Sequence, residues 1–458
     1  MTIVVWMLLI IGLFLAIYKP YLYVLYFGII GSDMGAMGIS GYFNQFFSLY
    51  SLVMQIFLVI AMFVSLVHYN YSSNIIKRKG WMLIACCLIL FSSLSILLYS
   101  FSPNFSGSII VRLLKCIGLY GPAVFMIWLS YSDKLLEHKK YFFYYVLIQC
   151  SIAMIIIYGP TFGINVFYDF NAALYMGGNS GYFYLDSYNS NVALLSNFIN
   201  AFVGGKNSVF IKCAQFHNAN GLGMAAGVLL FLLINKAFFE NNNKKILYRI
   251  GYIVLIVLSF LLWCNTGTRG PIVGVLLALI WYIAKGILSR KQISHNNFYL
   301  STILITCVLF VFIIESDTIV SYFLGQGSKG SLNSRIVLLK SFFDNIWDYF
   351  FIGNAGNLDS LVSLGIDPHF LPMRVCCMYG IVPAILILVL VFVKPIKISL
   401  FTDDTSFYRV GCFLIVFLIG LTNNYAEPVL FWLLLSESLL DFYECRNQDI
   451  IHNSDMGV

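Results

Sequence analysis

The chain has 458 residues, of which 60% are hydrophobic and only 10% are charged, with a formal net charge of +7. Soluble domains average about 25% charged residues, so this composition excludes a soluble enzyme held by a single membrane anchor. Long unbroken apolar runs, such as 253–263 and 381–393, are typical of membrane helices rather than barrel strands. The sequence predicts an all-α fold, a polytopic transmembrane helical bundle that forms one integral membrane domain over residues 1–458.

In chain order, about twelve apolar stretches approach the ~17–25 residues that a transmembrane helix needs. They lie near 3–30, 46–68, 81–101, 108–131, 141–162, 217–239, 246–264, 271–289, 298–315, 372–393, 407–423 and 428–443. Lys19 and Pro20 interrupt the first stretch. Because proline breaks or kinks a helix, the stretch is either one long kinked helix or a span followed by a short re-entrant segment.

Basic residues set the predicted orientation. Lys and Arg cluster in every second loop, for example at 77–79, 134–140 and 236–249, and such loops remain in the cytoplasm. If the first stretch is a single span, both termini are cytoplasmic. The positive net charge then reflects topology, so we expect membrane lipids as the surroundings and no nucleic-acid partner.

Two long loops, 163–216 and 316–371, face the opposite side of the membrane in this arrangement. Loops of this length without apolar spans are usually functional or disordered. Both are rich in Gly, Asn, Ser, Asp and aromatic residues. Aromatic faces can stack on pyranose rings while amides and carboxylates bind hydroxyls, which suits sugar binding. Solvated loops with aromatic residues at the lipid headgroups are an equally open interpretation.

The sequence indicates neither a metal nor another cofactor. No Cys and His cluster has zinc-site spacing, and no carboxylate cluster suggests a tight cation site. Walker, Rossmann and GxSxG motifs are also absent. We therefore expect no chemistry driven by a nucleotide bound to this chain.

Arg269 is the first candidate site residue. It lies in the segment Thr266 to Pro271, at the outer end of one predicted span, where it departs from the positive-inside trend. The planar, permanently charged guanidinium is suited to binding a phosphate or diphosphate. The alternative is an arginine that only anchors the helix end at the interface.

Arg335 is the second candidate, and it opens a segment that reaches Trp347 with a helical apolar period. The apolar positions of that period are Ile336, Leu339, Phe343 and Ile346. This pattern predicts an amphipathic helix lying at the membrane surface. Asn333 or Ser334 is its candidate N-cap.

Three further elements flank these arginines. A glycine-rich turn is predicted at Gly353 to Gly356, and His369 follows just before the next span. A histidine can act as a general base near neutral pH, although an ordinary surface histidine is the alternative. Earlier in the chain, His217 and Asn220 open a span and could face the same outer cavity. The small residues that follow them favour close helix packing.

The order of these elements resembles the O-antigen polymerase and O-antigen ligase superfamily of bacterial envelope enzymes. The resemblance covers roughly residues 200–395. Its matching pieces are 217–223, Thr268 to Gly270, Ser334-Arg335 with Trp347, the turn Gly353 to Gly356, and Pro368-His369 before a span that contains Gly380. This sequence departs from the family at Thr268, where Ser is usual, and at Phe370, where Asn often follows the histidine.

The resemblance implies a metal-independent glycosyltransferase in the bacterial inner membrane, with its active site facing the periplasm. Its donor would be an oligosaccharide on undecaprenyl diphosphate. Arg269 and Arg335 would hold the diphosphate, and His369 would activate the acceptor hydroxyl or help to assemble the site. The candidate substrate-binding residues are His217, Asn220, Asn333, Gly353 and Gly356.

Three functions remain open at this point. An O-antigen polymerase, which joins repeat units for lipopolysaccharide, is favoured, and an O-antigen ligase, which transfers the glycan to lipid A–core, is the alternative. Whether a chain-length regulator also binds this chain stays open. A lipid-linked oligosaccharide flippase would instead show corresponding halves and charges buried in mid-membrane. No such halves are evident, but Arg112 and Lys115 lie inside a predicted span, where they would line a cavity or pair with an acidic group.

Overall fold

The computed structural model describes thirteen segments of the chain, and almost all of their residues are helical. The described segments are 2–31, 47–68, 79–129, 135–158, 174–176, 211–213, 219–239, 246–264, 270–288, 331–357, 370–393, 407–422 and 429–438. The predicted all-α fold is therefore confirmed. The predicted span at 298–315 lies outside these segments.

Up to residue 213, the described residues form six helices and one pair of short strands. The helices are α1 (Thr2–Tyr18), α2 (Pro20–Tyr26), α3 (Phe47–His68), α4 (Lys79–Tyr99), α5 (Ile109–Leu129) and α6 (Leu135–Tyr158). Strands β1 (Leu174–Met176) and β2 (Ile211–Cys213) pair antiparallel, with Tyr175 opposite Lys212. This pairing joins two distant points of the first long loop, a feature that the sequence did not predict.

From residue 219 on, most of the described residues are helical. Its helices are α7 (Ala219–Ile234), α8 (Ile246–Cys264), α9 (Gly270–Leu288), α10 (Ser331–Asp344), α11 (Ile346–Tyr349), α12 (Leu371–Tyr379), α13 (Ile381–Ile387), α14 (Phe407–Thr422) and α15 (429–438). Short π-helical turns extend α2, α7 and α13 to Gly31, Phe239 and Val393. Most boundaries agree with the predicted stretches to within a few residues, although α6 begins six residues earlier than predicted.

Lys19 and Pro20 decide the form of the first stretch. Helix α1 ends before Lys19, and α2 folds back along it. The Tyr26 hydroxyl accordingly donates a hydrogen bond of 2.7 Å to the Leu8 carbonyl. In one straight helix these two residues would lie about 27 Å apart along the axis. The structure therefore has a helix followed by a short folded-back segment.

Helix packing produces one continuous apolar core. Helix α3 packs on α1, α2 and α5, while α4 packs on α5 and α13. Helix α7 packs on α6, α8 and α9, and α9 packs along α14. Gly274 lets α9 approach α14 closely, since a Cβ there would meet the Ile415 side chain at 2.8 Å. Among the described helices, none combines the length and the apolar character required to cross a membrane.

The predicted span at 372–393 is interrupted, which corrects the sequence interpretation of a single helix. Gly380 separates α12 from α13, with φ of +88° and ψ of −179°. Only glycine adopts this region of backbone space readily. The interruption creates a helix end inside an apolar stretch, and the candidate site is built around it.

Candidate functional site

The predicted glycine turn packs directly against the break at Gly380. Backbone segments 350–357 and 377–381, which together we call the glycine junction, are joined by main-chain hydrogen bonds. The N–H of Asn354 donates to the Cys377 carbonyl at 3.0 Å, and the N–H of Gly356 donates to the Met378 carbonyl at 2.9 Å. These carbonyls lie in the last turn of α12, where a helix has no partners of its own for them. The turn therefore supplies the missing donors.

The start of the following helix is satisfied in the same way. The N–H of Ile381, at the beginning of α13, donates to the Phe350 carbonyl at 2.7 Å. The Ser95 hydroxyl of α4 donates to the Ile352 carbonyl. The glycine junction thus satisfies both ends of a broken helix and attaches them to α4.

Glycine is required at the closest contacts of this junction. Gly353 and Gly356 have φ of +60° and +72°, in the left-handed region that favours glycine. A Cβ at Gly353 would overlap the backbone of Met378, and one at Gly356 would lie 2.8 Å from the Tyr379 hydroxyl. The positive φ at both positions, together with close contact to backbone at Gly353 and to the Tyr379 side chain at Gly356, explains the two glycines. Whether either glycine also contacts substrate stays a prediction.

Arg112 contacts the same turn from the first turn of α5. Its Nη1 lies 3.3 Å from the Asn354 carbonyl and 3.2 Å from the Ala355 carbonyl, while Nη2 donates to the Ser106 carbonyl at 2.5 Å. The guanidinium carbon also lies 4.6 Å from the centre of the Phe105 ring. The sequence led us to expect that Arg112 would line a cavity or pair with an acidic residue. Instead, backbone carbonyls of the glycine junction accept its hydrogen bonds.

Lys115, the other charge within this predicted span, is exposed in the structure. It lies about one helical turn beyond Arg112 on α5. The two basic residues therefore have different environments, although the sequence alone groups them together.

Arg374 is a buried charge that the sequence reasoning missed. Its side chain is only 4% exposed, and it lies in the first turn of α12, five residues after His369. Burying a guanidinium is costly, and the positive end of the helix dipole makes this position less favourable still. The signal was present in the sequence, because Arg374 is the sole charged residue in the stretch 372–393.

The structure describes some of the other predicted site residues but not all of them. Arg335 and Asn333 lie on α10 and Asn220 lies on α7, whereas His217, Arg269 and His369 lie outside the described residues. Because α10 includes Ser331, Asn333 and Ser334 are inside the helix, so neither is its N-cap. Of the predicted site residues that the structure describes, Gly353 and Gly356 are brought together, against Gly380.

The predicted amphipathic segment is helical from Ser331 to Asp344, and two adjacent aromatic residues of this helix differ in burial. Phe342, which the predicted period omitted, is 3% exposed, whereas Phe343 is 56% exposed. The helix also ends at Asp344, and α11 begins at Ile346 after a turn at Asn345. Phe343, Trp347 and Phe351 follow at intervals of four residues, and all three are exposed.

Aromatic residues surround the glycine junction. The Tyr120 ring lies 5.9 Å from the Tyr379 ring and 6.4 Å from that of Trp432, whose Nε1 donates to the Leu119 carbonyl at 2.9 Å.

Burial raises the pKa of Tyr349, and the nearby Cys377 thiol adds to this effect. In the part of the chain that is described, no group of three His, Cys, Asp or Glu side chains is arranged to hold a metal.

The sequence matches no protein-family model, no curated protein and no solved structure.

Proposed function

We propose that this chain is a membrane glycosyltransferase of the O-antigen polymerase type, which joins oligosaccharide units carried on undecaprenyl diphosphate. One observation carries the proposal. The turn at Gly353 to Gly356 and the span that contains Gly380 were matched to the superfamily as separate sequence elements, and the turn contacts that span at Gly380 in the fold. Elements that act as one site should meet in this way, whereas accidental short matches have no reason to do so.

Exposed apolar helix faces support a location in the bacterial inner membrane. Helices α1, α4 and α8 each have a continuous exposed stripe of large apolar side chains. These stripes are Trp6, Ile10 and Phe14 on α1, Leu83, Leu90, Leu94 and Leu97 on α4, and Ile250, Ile253, Val254 and Val257 on α8. Soluble proteins rarely leave such large apolar surfaces in water. Acyl chains would cover them, with the site facing the periplasm.

The proposed chemistry needs cationic groups more than it needs a cofactor. As the bond between sugar and diphosphate breaks, negative charge develops on undecaprenyl diphosphate, and arginines in a water-poor site would stabilise it. Arg269 and Arg335 are proposed for this role. His369 would accept the proton of the attacking sugar hydroxyl or help to assemble the site. The donor itself is activated, so the transfer requires no nucleotide.

Arg374 is proposed as a third basic residue of this site. We expect Arg374→Gln to lower transferase activity roughly tenfold to a hundredfold, because a charge-assisted hydrogen bond contributes about 1.5–3 kcal/mol. The glutamine amide can still donate hydrogen bonds to protein groups, so the melting temperature should change little. Activity and thermal unfolding of the purified protein in detergent would be compared. A lower melting temperature with unchanged activity would show that Arg374 is structural.

The environments of Arg112 and Lys115 give less support to the flippase alternative. That alternative drew support from Arg112 and Lys115 as charges lining a path through the membrane. Arg112 has backbone carbonyls as its acceptors, and Lys115 is exposed. The ligase alternative uses the same donor and the same basic residues, so only the product distinguishes it.

A deletion strain of the source bacterium tests the function. For a polymerase, we expect surface polysaccharide that consists of core with a single repeat unit, and a plasmid copy of the gene should restore the full ladder. A gel of extracted lipopolysaccharide gives this result directly. Extraction of lipid-linked intermediates from the same cells provides the second measurement.

The other outcomes each exclude the polymerase. Bare core together with accumulated lipid-linked polymer would identify a ligase. Bare core together with single lipid-linked units confined to the cytoplasmic leaflet would identify a flippase. An unchanged ladder would exclude all three functions.

A further inference from the structure

The glycine junction joins two segments that carry the proposed site residues. Arg335 is on α10, and the chain runs from there through α11 into the turn at Gly353. His369 immediately precedes Phe370 and α12, which ends at the junction. The junction therefore fixes the far ends of both segments. A shift there would change the relative position of α10, which carries Arg335, and α12, which follows His369 in sequence.

Arg112 attaches this junction to a third part of the fold. It lies more than 240 residues before the turn in sequence, and its Nη1 is shared between the Asn354 and Ala355 carbonyls. Its Nη2 holds the Ser106 carbonyl in the segment that precedes α5. A planar guanidinium can donate in several fixed directions at once, which a lysine ammonium on a flexible stem does less well.

We infer that Arg112 is a positioning residue, which holds the glycine junction so that α10, which carries Arg335, and α12 keep a productive relative position. The inference rests on the proposed transferase function. Because its Nη1 and Nη2 groups already donate to three carbonyls, Arg112 is a poor candidate for binding the donor diphosphate itself. Its effect should therefore fall on the rate of transfer rather than on donor binding.

Thiol labelling tests the structural half of this inference without reference to activity. Cys377 is buried in the junction and Cys376 is buried directly before it, while Cys150 and Cys412 are buried elsewhere. We expect N-ethylmaleimide to label Cys376 and Cys377 faster in Arg112→Ala than in the wild-type protein, with Cys150 and Cys412 equally protected in both. Peptide mass spectrometry measures the labelling. Unchanged labelling of Cys376 and Cys377 would overturn the inference.

Steady-state kinetics with a purified lipid-linked oligosaccharide test the other half. Misplacing reacting groups by about 1 Å can lower a rate on the order of 10²-fold. We expect Arg112→Ala to lower kcat by this order with little change in KM, and Arg112→Lys to recover part of the loss. Lys115→Gln removes a charge from the same helix without touching the junction, so its kinetics should match the wild type.

The outcomes separate this inference from the proposed function. A raised KM with unchanged kcat would mean that Arg112 binds the donor, and faster labelling with unchanged kinetics would mean that the junction does not position the site. Either result overturns the positioning role. A wild-type protein without transferase activity would overturn the proposed function, while the labelling would still report whether Arg112 holds the junction. If Arg112→Ala does not accumulate in the membrane, the labelling and the kinetics are both measured on Arg112→Lys.

Discussion

Replacing Gly380 with alanine is expected to destabilise the protein by more than about 1–3 kcal/mol, which is the cost of backbone strain alone. The strain arises because φ of +88° and ψ of −179° are poorly accessible to a residue with a side chain. The new Cβ would also overlap the carbonyl group of Phe351, which is backbone and cannot move aside easily. Thermal unfolding of the purified protein in detergent would measure the loss. Membrane levels and polymer length should fall together.

Two other glycines serve as matched controls for this substitution. Gly107 also has a positive φ, of +93°, but a Cβ there would meet nothing within 4 Å, so Gly107→Ala should show the strain without the overlap. Gly251 lies within α8 with no neighbour within 4 Å, and alanine there should stabilise the helix by roughly 1 kcal/mol. If Gly380→Ala behaved like Gly251→Ala, the described junction would be wrong.

Alanine at Arg269 or Arg335 is expected to lower the transfer rate on the order of 10²–10³-fold, the usual effect of removing one group that stabilises developing negative charge. His369→Ala should lower it by about 10²–10⁴-fold if the imidazole acts as a base. Plasmid-borne variants in the deletion strain should leave core with a single repeat unit. Purified variants with a lipid-linked donor would give the rates.

The controls for these variants test charge and fold separately. Arg335→Lys keeps the charge but loses the planar fork, so we expect intermediate activity. Lys340→Ala removes an exposed charge from the same helix and should leave the ladder intact. Membrane levels of every variant would be measured alongside. Full ladders from Arg269→Ala, Arg335→Ala and His369→Ala would reject the assigned site.

Much of the helical architecture could be predicted because the length of an apolar run is a local property. The stretch 246–264 was predicted with the boundaries that α8 has, and 46–68 differs from α3 by one residue. The predicted turn at Gly353 to Gly356 was also correct, since closely spaced glycines favour left-handed backbone. The interruption at Gly380 was missed, because one glycine among apolar residues is common in membrane helices.

The candidate site was predicted less completely. Arg374 was not predicted, although a charge within an apolar span is a stronger functional signal than a charge in a loop. Asn333 was assigned to a cap from residue type alone, yet α10 already includes it. Residue type indicates what a side chain can do, but the helix register decides whether it is placed to do so.

The sequence by itself determined that the chain is helical, where most helices lie, and which glycines and arginines stand out. Only the tertiary structure decided that α2 folds back on α1, that the turn at Gly353 packs on Gly380, and that Arg112 binds this turn. Helix formation depends on neighbours in sequence, so a local pattern records it. Contacts such as those of Arg112 with Asn354 join residues far apart in the chain, and they depend on how whole helices pack, which no local pattern contains.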